Sequence, residues 1–336
     1  MPILTIAIPT YNRLEQLSQQ MERIAQIQNE DVEILVSDNG SSDGTTDFLV
    51  NLPLEISNLR VFFNLTNMGF DFNIINLFKN ATGDFVWFLS DDDLIDPTCV
   101  EDIIDALKCH PNLGVMALLL NGSSQECIKT HMVSYAGRGP YFELQKNTSI
   151  DVTGFQSLQT LAGTLISQIS TCVISRIDTR DYSFEGGGIA HVILAHFSLV
   201  TKPTFLIFDT KAVSLGEKKQ ISTWFLDSCL NGVEKAYKDL ELILGKTNCI
   251  QVVEATKTLG LKIAFSAIGS SKDAFDHSLL STFKPPKELI SRFHYTYWFL
   301  LIKISQRFRF FARIIHVVIL SYQIFHQKIR LLLNLH

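Results

Sequence analysis

The sequence has no C-x-x-C pair: its six cysteines stand singly at positions 99, 109, 127, 172, 229 and 249, a spacing that offers neither a zinc site nor a disulfide framework. The expectation is buried, reduced thiols in a cytoplasmic protein. Eighteen Gly and nine Pro among 336 residues exclude collagenous or linker-like character. Charged residues make up only 19% and hydrophobic ones 46%, a balance too apolar for disorder and sufficient for a large core. The N-terminus, M-P-I-L-T-I-A-I-P, has no basic leader and no small-residue cleavage site, so it reads as a first strand and not as a secretory signal.

Acid is missing from the last part of the chain. Nothing after Glu288 is acidic, while Arg292, Lys303, Arg307, Arg309, Arg313, Lys328 and Arg330 are basic. The remaining 22 basic residues face all 34 acidic ones, so residues 1–288 carry a net charge of −12. An acidic body with a basic tail is poorly suited to nucleic acid and better suited to an anionic membrane surface. In the tail the longest uncharged stretch, residues 314–327, is broken by His316, Ser321, Gln323 and His326. It falls short of the roughly 20 apolar residues that span a bilayer.

What is present begins with alternating strand-like and helical patterns, the signature of a mostly parallel sheet flanked by helices. Leu4–Ile8 is the first strand, after which Leu14, Leu17, Met21 and Ile24 recur at helical spacing. Further strands are expected at Val32–Val36, Leu59–Phe63, Phe85–Leu89, Val115–Leu120, Thr171–Ser175 and Phe205–Phe208. Helices are expected at 71–80, 98–109, 155–166 and 189–200, with a helical pattern from about 222 to 270. Residues from about 121 to 150 read as a loop or a small hairpin, and K-P-P-K at 284–287 as a linker.

In a sheet of this kind ligands sit outside the carboxyl ends of the strands. Three strand ends are polar: Thr10-Tyr11-Asn12-Arg13, the run Ser37-Asp38-Asn39-Gly40-Ser41-Ser42-Asp43-Gly44, and Ser90-Asp91-Asp92-Asp93. Three consecutive carboxylates repel one another and raise each other's pKa, which a cation resolves. Hard oxygen ligands select Mg²⁺ or Mn²⁺, ions that take one or two carboxylates together with phosphate oxygens. The alternative for the acid run is a solvated helix N-terminus.

Taken together, I-P-T-Y-N-R at 8–13, I-L-V-S-D-N-G-S-S-D-G-T at 34–45, N-M-G-F at 67–70 and G-D-F-V-W-F-L-S-D-D-D at 83–93 resemble the nucleotide-binding half of glycosyltransferase family 2, a GT-A fold. The S-D-N and S-D-D-D forms are similar to the abequosyltransferase-like branch of O-antigen and capsule enzymes. The resemblance implies that Pro9, Thr10, Tyr11 and Arg13 lie along the base and ribose of a nucleotide-diphosphate sugar, that Asp38 contacts base or ribose, and that Asn67 and Gly69 lie near the base. It implies a DXD-type metal site, with Ser90 in place of the first acid of the usual Asp-x-Asp-Asp. Asp92 becomes the leading ligand for Mn²⁺ or Mg²⁺, Asp91 lies near ribose or diphosphate, and Asp93 acts through water or holds the loop, so that Asp92 and Asp93 form the catalytic metal pair.

Inverting members of the family use a carboxylate base, normally in a Glu-Asp pair. Here that stretch reads F-E-G-G-G-I-A-H-V-I-L, with Glu185 and His191 as candidate bases and Asp181 behind them. The alternative for His191 is a satisfied helix residue, and inverting and retaining outcomes both stay open.

The implied organisation is an α/β GT-A domain over 1–215, a helical region over 216–283, and a basic, aromatic-rich amphipathic tail over 284–336 that associates with the membrane or packs as a helix hairpin. The expected activity is transfer of a sugar from a nucleotide-diphosphate donor to a lipid-linked oligosaccharide acceptor in bacterial surface polysaccharide synthesis, at the inner face of the plasma membrane. A nucleotidyltransferase is the alternative of similar architecture, but the Gly-rich, Lys-containing pyrophosphate loop that it needs is not seen. A non-catalytic sugar-nucleotide-binding module is the alternative from another class.

Overall fold

A computed structural model of the chain describes residues 1–52, 56, 58–120, 147, 149–151, 169–179 and 187–214, with 235, 241, 242, 245 and 249. These residues belong to one compact unit comprising Met1–Lys218 and Glu234–Ala255. The helix expected at 155–166, the tail 284–336 and most of the 216–283 region lie outside the described residues.

The elements in chain order are β1 (Leu4–Thr10), α1 (Leu14–Ile24), β2 (Val32–Asp38), α2 (Thr45–Asn51), β3 (Leu59–Phe63), α3 (Phe70–Asn80), β4 (Phe85–Phe88), β5 (Leu94–Ile95), α4 (Val100–Cys109), β6 (Leu113–Leu120), β7 (Ser149–Asp151), β8 (Cys172–Ser175), α5 (Ala190–Thr201) and β9 (Thr204–Ser214). The sheet runs β3-β2-β1-β4-β8-β6-β9-β5, with β7 paired to β9. Its first four strands are parallel, and β8 enters antiparallel to both β4 and β6. The sheet is therefore more mixed than a β-α alternation alone implies.

The parallel half is the one that positions the site. β1, β2 and β4 are covered on both faces, so their side chains are buried almost without alternation, as central parallel strands require. α1 turns Leu17, Met21 and Ile24 into the core, each worth on the order of 2 kcal/mol of transfer free energy. Its Gln20 is buried as well and accepts from the Ile95 N–H at 3.2 Å, which pins β5 beneath the acid loop.

The strand expected at 205–208 extends to Ser214 and carries irregular pairing where Asp209, Thr210 and Lys211 interrupt its apolar pattern. Among the described cysteines, 99, 109, 172 and 249 are free. Cys172 and Cys249 are buried as expected, and Cys109 is exposed at the end of α4. No helix among the described residues is long and apolar enough to cross a membrane.

Candidate active site

Adjacent parallel strands deliver their carboxyl ends to one edge, and there the three polar sequences meet. β1 and β2 stay in register to the last pair, Thr10 opposite Asp38, and the Thr10 carbonyl accepts from the Asn39 N–H at 3.0 Å. Asn12 adopts a left-handed backbone (φ 52°), which Asn tolerates better than most residues. Its N–H donates to Ser41 Oγ at 2.8 Å, and its Oδ1 accepts from the Ser42 N–H at 2.8 Å. The two loops are thus cross-linked. Tyr11 and Arg13 project outward from them and are exposed, while Pro9 remains paired inside the strand.

Asp38 is 1% exposed, and its carboxylate is taken up by its own loop. Oδ1 accepts from the Ser41 N–H at 3.1 Å and from Ser41 Oγ at 2.5 Å, and Oδ2 accepts from Thr46 Oγ1 at 2.6 Å. Asn39 joins this loop to the Asn67–Gly69 segment. Its Nδ2 donates to Asn67 Oδ1 at 2.9 Å and to the Gly69 carbonyl at 3.2 Å, and its Oδ1 accepts from Asn64 Nδ2 and the Met68 N–H at 3.0 Å each. Gly40, at φ 77°, lets the two segments touch, because a Cβ there would lie 2.8 Å from the Thr66 carbonyl carbon. Asn39 stands inside the motif quoted above, yet its role as the hub of four contacts comes only from the structure.

The acid loop is held from further away. Thr10 Oγ1 donates to Asp91 Oδ2 at 2.8 Å, so the end of β1 carries the first acid. Asp91 is 8% exposed, and burial pushes its carboxyl up to about 7. The Thr10 hydroxyl pulls it down, the neighbouring Asp92 charge pushes it up, and Arg13 pulls it down. Ser90 Oγ donates to Asp92 Oδ1 at 2.6 Å. Asp92 Oδ2 faces outward, 4.0 Å from Arg13 Nη1. Asp93 is buried, and its Oδ2 accepts from Ser170 Oγ at 2.6 Å. The same Ser170 oxygen accepts from the Ser90 N–H at 2.9 Å, and the Ser170 carbonyl accepts from Trp87 Nε1 at 2.9 Å. Ser170 braces both ends of the acid run, a role that no sequence signal announces.

Among the described residues no group of three or more His, Cys, Asp and Glu is gathered as a ready-made metal cage. The donor chemistry nevertheless fits Mg²⁺ or Mn²⁺. Asp92 presents a carboxylate oxygen outward at the strand ends, and these ions accept one or two carboxylates when phosphate oxygens and water complete the shell.

The third group of candidates is divided. Glu185 and Asp181 fall outside the described residues. His191 stands on the first turn of α5, 4% exposed, with its ring edge-on to Phe70 at 6.3 Å between centroids. The N-terminus of α5 is also met by Asp71, which the sequence reading does not single out.

Residues 5–162 match the family model described as Glycosyl transferase family 2. Over 94 residues it is 37% identical to GalNAc(5)-diNAcBac-PP-undecaprenol beta-1,3-glucosyltransferase of Campylobacter jejuni, covering 28% of this chain and 30% of that one. It is 33% identical over 97 residues to abequosyltransferase RfbV of Salmonella typhimurium, covering 28% and 29% respectively. The matches thus span less than a third of either relative's length. Among solved structures, S. aureus TarS 1-349 in complex with UDP-GlcNAc superposes with a TM-score of 0.55 at 15% identity, over 91% of this chain and 92% of that one. Mannosyltransferase PcManGT from Pyrobaculum calidifontis in complex with GDP-Man and Mn²⁺ gives 0.52 at 15% identity, over 92% and 88%. The fold is GT-A.

Proposed function

We propose that the protein is a metal-dependent glycosyltransferase that moves a sugar from a nucleotide-diphosphate donor to a lipid-linked oligosaccharide in the synthesis of a bacterial surface polysaccharide. The observation that carries this reading is the meeting of three strand-end sequences at one edge: Thr10–Arg13, Asp38–Asp43 and Ser90–Asp93. The relative whose name specifies an undecaprenol-linked acceptor supports the acceptor class.

Within this reading the exposed Tyr11 and the Asn67–Gly69 segment frame the base, and the Asn39 hub and the Asp38 carboxylate keep that frame rigid. Asp92 would hold the metal and Asp93 would anchor its loop through Ser170. The ion, when bound, offsets the charge that develops on the departing diphosphate. Arg13 lies on the same side of the site and adds a second positive group toward the phosphates. Burial favours the protonated form of Asp91 in the metal-free protein, which lessens the charge the loop carries. The acceptor side is assigned to the start of α5, where His191 is a candidate to receive the hydroxyl proton, with Glu185 the other candidate from the sequence. The basic tail would bring the enzyme to the anionic surface on which such an acceptor resides.

Calorimetry with uridine and guanosine diphosphates, with and without Mn²⁺, tests the reading. Metal-dependent binding that Asp92→Ala weakens by at least about tenfold is the expected result. Binding that ignores both the metal and the substitution would overturn it.

A further inference from the structure

α5 begins without a cap of its own. Its N-cap position is Ile189, whose side chain cannot accept a hydrogen bond, and no local cap is made. The first free N–H groups point instead at Asp71, in the first turn of α3 and more than a hundred residues earlier. Asp71 Oδ2 accepts from the Gly188 N–H at 2.6 Å, and Oδ1 accepts from the Ala190 N–H at 2.9 Å. Gly187 and Gly188 both have positive φ, 140° and 75°, and this turns the two amides toward one carboxylate. The carboxylate is 9% exposed and sits at the positive end of a twelve-residue helix, so both hydrogen bonds are charge-assisted.

A helix can be capped by Ser, Asp or Asn one residue before it starts, with no involvement of the rest of the fold. A cap supplied from another element links the two. Here three consecutive residues make the link. The Gly69 carbonyl accepts from Asn39 in the nucleotide-side hub, the Phe70 ring packs edge-on against His191, and Asp71 caps the helix that carries His191.

We propose that Asp71 is a positioning residue which sets the Gly187–His191 segment in register with the nucleotide-side loops, so that binding of the donor orders the acceptor side. The inference rests on the glycosyltransferase reading and assigns Asp71 no contact with substrate.

The test uses the full chain with UDP and Mn²⁺ as the probe, or GDP and Mn²⁺ where calorimetry shows that nucleotide to be bound. Hydrogen exchange is followed at the amides of residues 187–192, and donor affinity by calorimetry. In the wild-type protein, nucleotide should slow exchange at Gly188 and Ala190 by at least about tenfold. In Asp71→Ala the nucleotide should still bind within about threefold, and the slowing at those two amides should vanish. Asp71→Asn, which keeps one carbonyl acceptor, should fall between the two and serves in place of the Ala variant should that one not fold. In transfer assays the same series should lower kcat with little change in the donor KM. Unchanged slowing in a variant that binds nucleotide would overturn the positioning role and leave the functional reading intact, as would parallel losses of donor affinity and exchange protection. Failure of the wild-type protein to bind either nucleotide would overturn both.

Discussion

The loops after β1 and β2 and the loop after β4 face the same site but are built on opposite plans. The first two hold themselves. Asp38 bonds to Ser41 and Thr46 within its own turn, Asp43 accepts from Thr45 two residues on, and Asn12 clasps Ser41 and Ser42 in the neighbouring loop. The acid loop is held mainly from outside: Thr10 reaches Asp91 across 81 residues and Ser170 reaches Asp93 across 77. A self-held loop can be stiff before anything binds. A loop tied to distant elements takes its geometry from the packing of the whole sheet, and its charges respond to burial. The contrast predicts that substitutions in the acid loop and its braces alter stability, whereas an outward-facing residue of the first loop alters binding alone.

Asp91 gives the largest expected change. Its carboxyl is raised to about 7 in the fold, against roughly 3.9 for an unperturbed Asp. A raised pKa means that the native state favours the protonated form. The resulting contribution is complete below about pH 4, erodes as pH rises and is gone above about pH 7, a span on the order of 4 kcal/mol. Urea unfolding of the metal-free protein between pH 4.5 and 8 should therefore show a downward slope that Asp91→Asn removes, the variant being the more stable at pH 8. Parallel pH profiles for the two proteins would show that Asp91 is solvated like an ordinary surface acid, and the contrast between the loops would lose its electrostatic half.

Ser170→Ala comes next. It leaves the buried Asp93 carboxylate without the Ser170 hydroxyl and the Ser90 N–H without its acceptor, a loss of roughly 2–3 kcal/mol in unfolding free energy. Because Asp92 lies between those two anchored residues, Mn²⁺-dependent nucleotide affinity should drop about tenfold as well. A variant with wild-type melting and wild-type nucleotide affinity would mean that the acid loop keeps its shape unaided.

The same contrast explains what could be read in advance. β1, β2 and β4 were legible because strands buried on both faces are continuous apolar runs, and the polar residues at their ends stand out against them. The loop residues Thr10, Asp38, Asn67 and Asp91–Asp93 all come to the expected edge, since parallel strands leave no other place for their carboxyl ends. The two-residue β5 is too short to show any period, and the antiparallel entry of β8 is a matter of chain path that four apolar residues do not encode. β9 continues through a polar interruption because its partners supply the ladder. Ser170 and Asp71 were invisible for one reason: each acts on groups 77 or more residues away, and an isolated Ser or a helix-start Asp looks the same whether or not it does so.

Arg13 supplies the smallest and sharpest test. Its guanidinium lies 4.0 Å from Asp92, with the two side chains 48% and 33% exposed, a distance and exposure at which an ion pair adds little to folding. Arg13→Ala should thus leave the unfolding free energy within about 0.5 kcal/mol of wild type. Binding is another matter, because a diphosphate arriving beside Asp92 would exchange a weak, solvated pair for charge-assisted contacts worth on the order of 1 kcal/mol, so nucleotide affinity should fall about three- to tenfold. Raising the salt concentration should narrow that gap between variant and wild type, since an exposed charge is screened. Should Arg13→Ala instead destabilise the protein as much as Ser170→Ala does, the first loop would depend on its outward charge for its shape, and the distinction between a self-held loop and one braced from afar would fail.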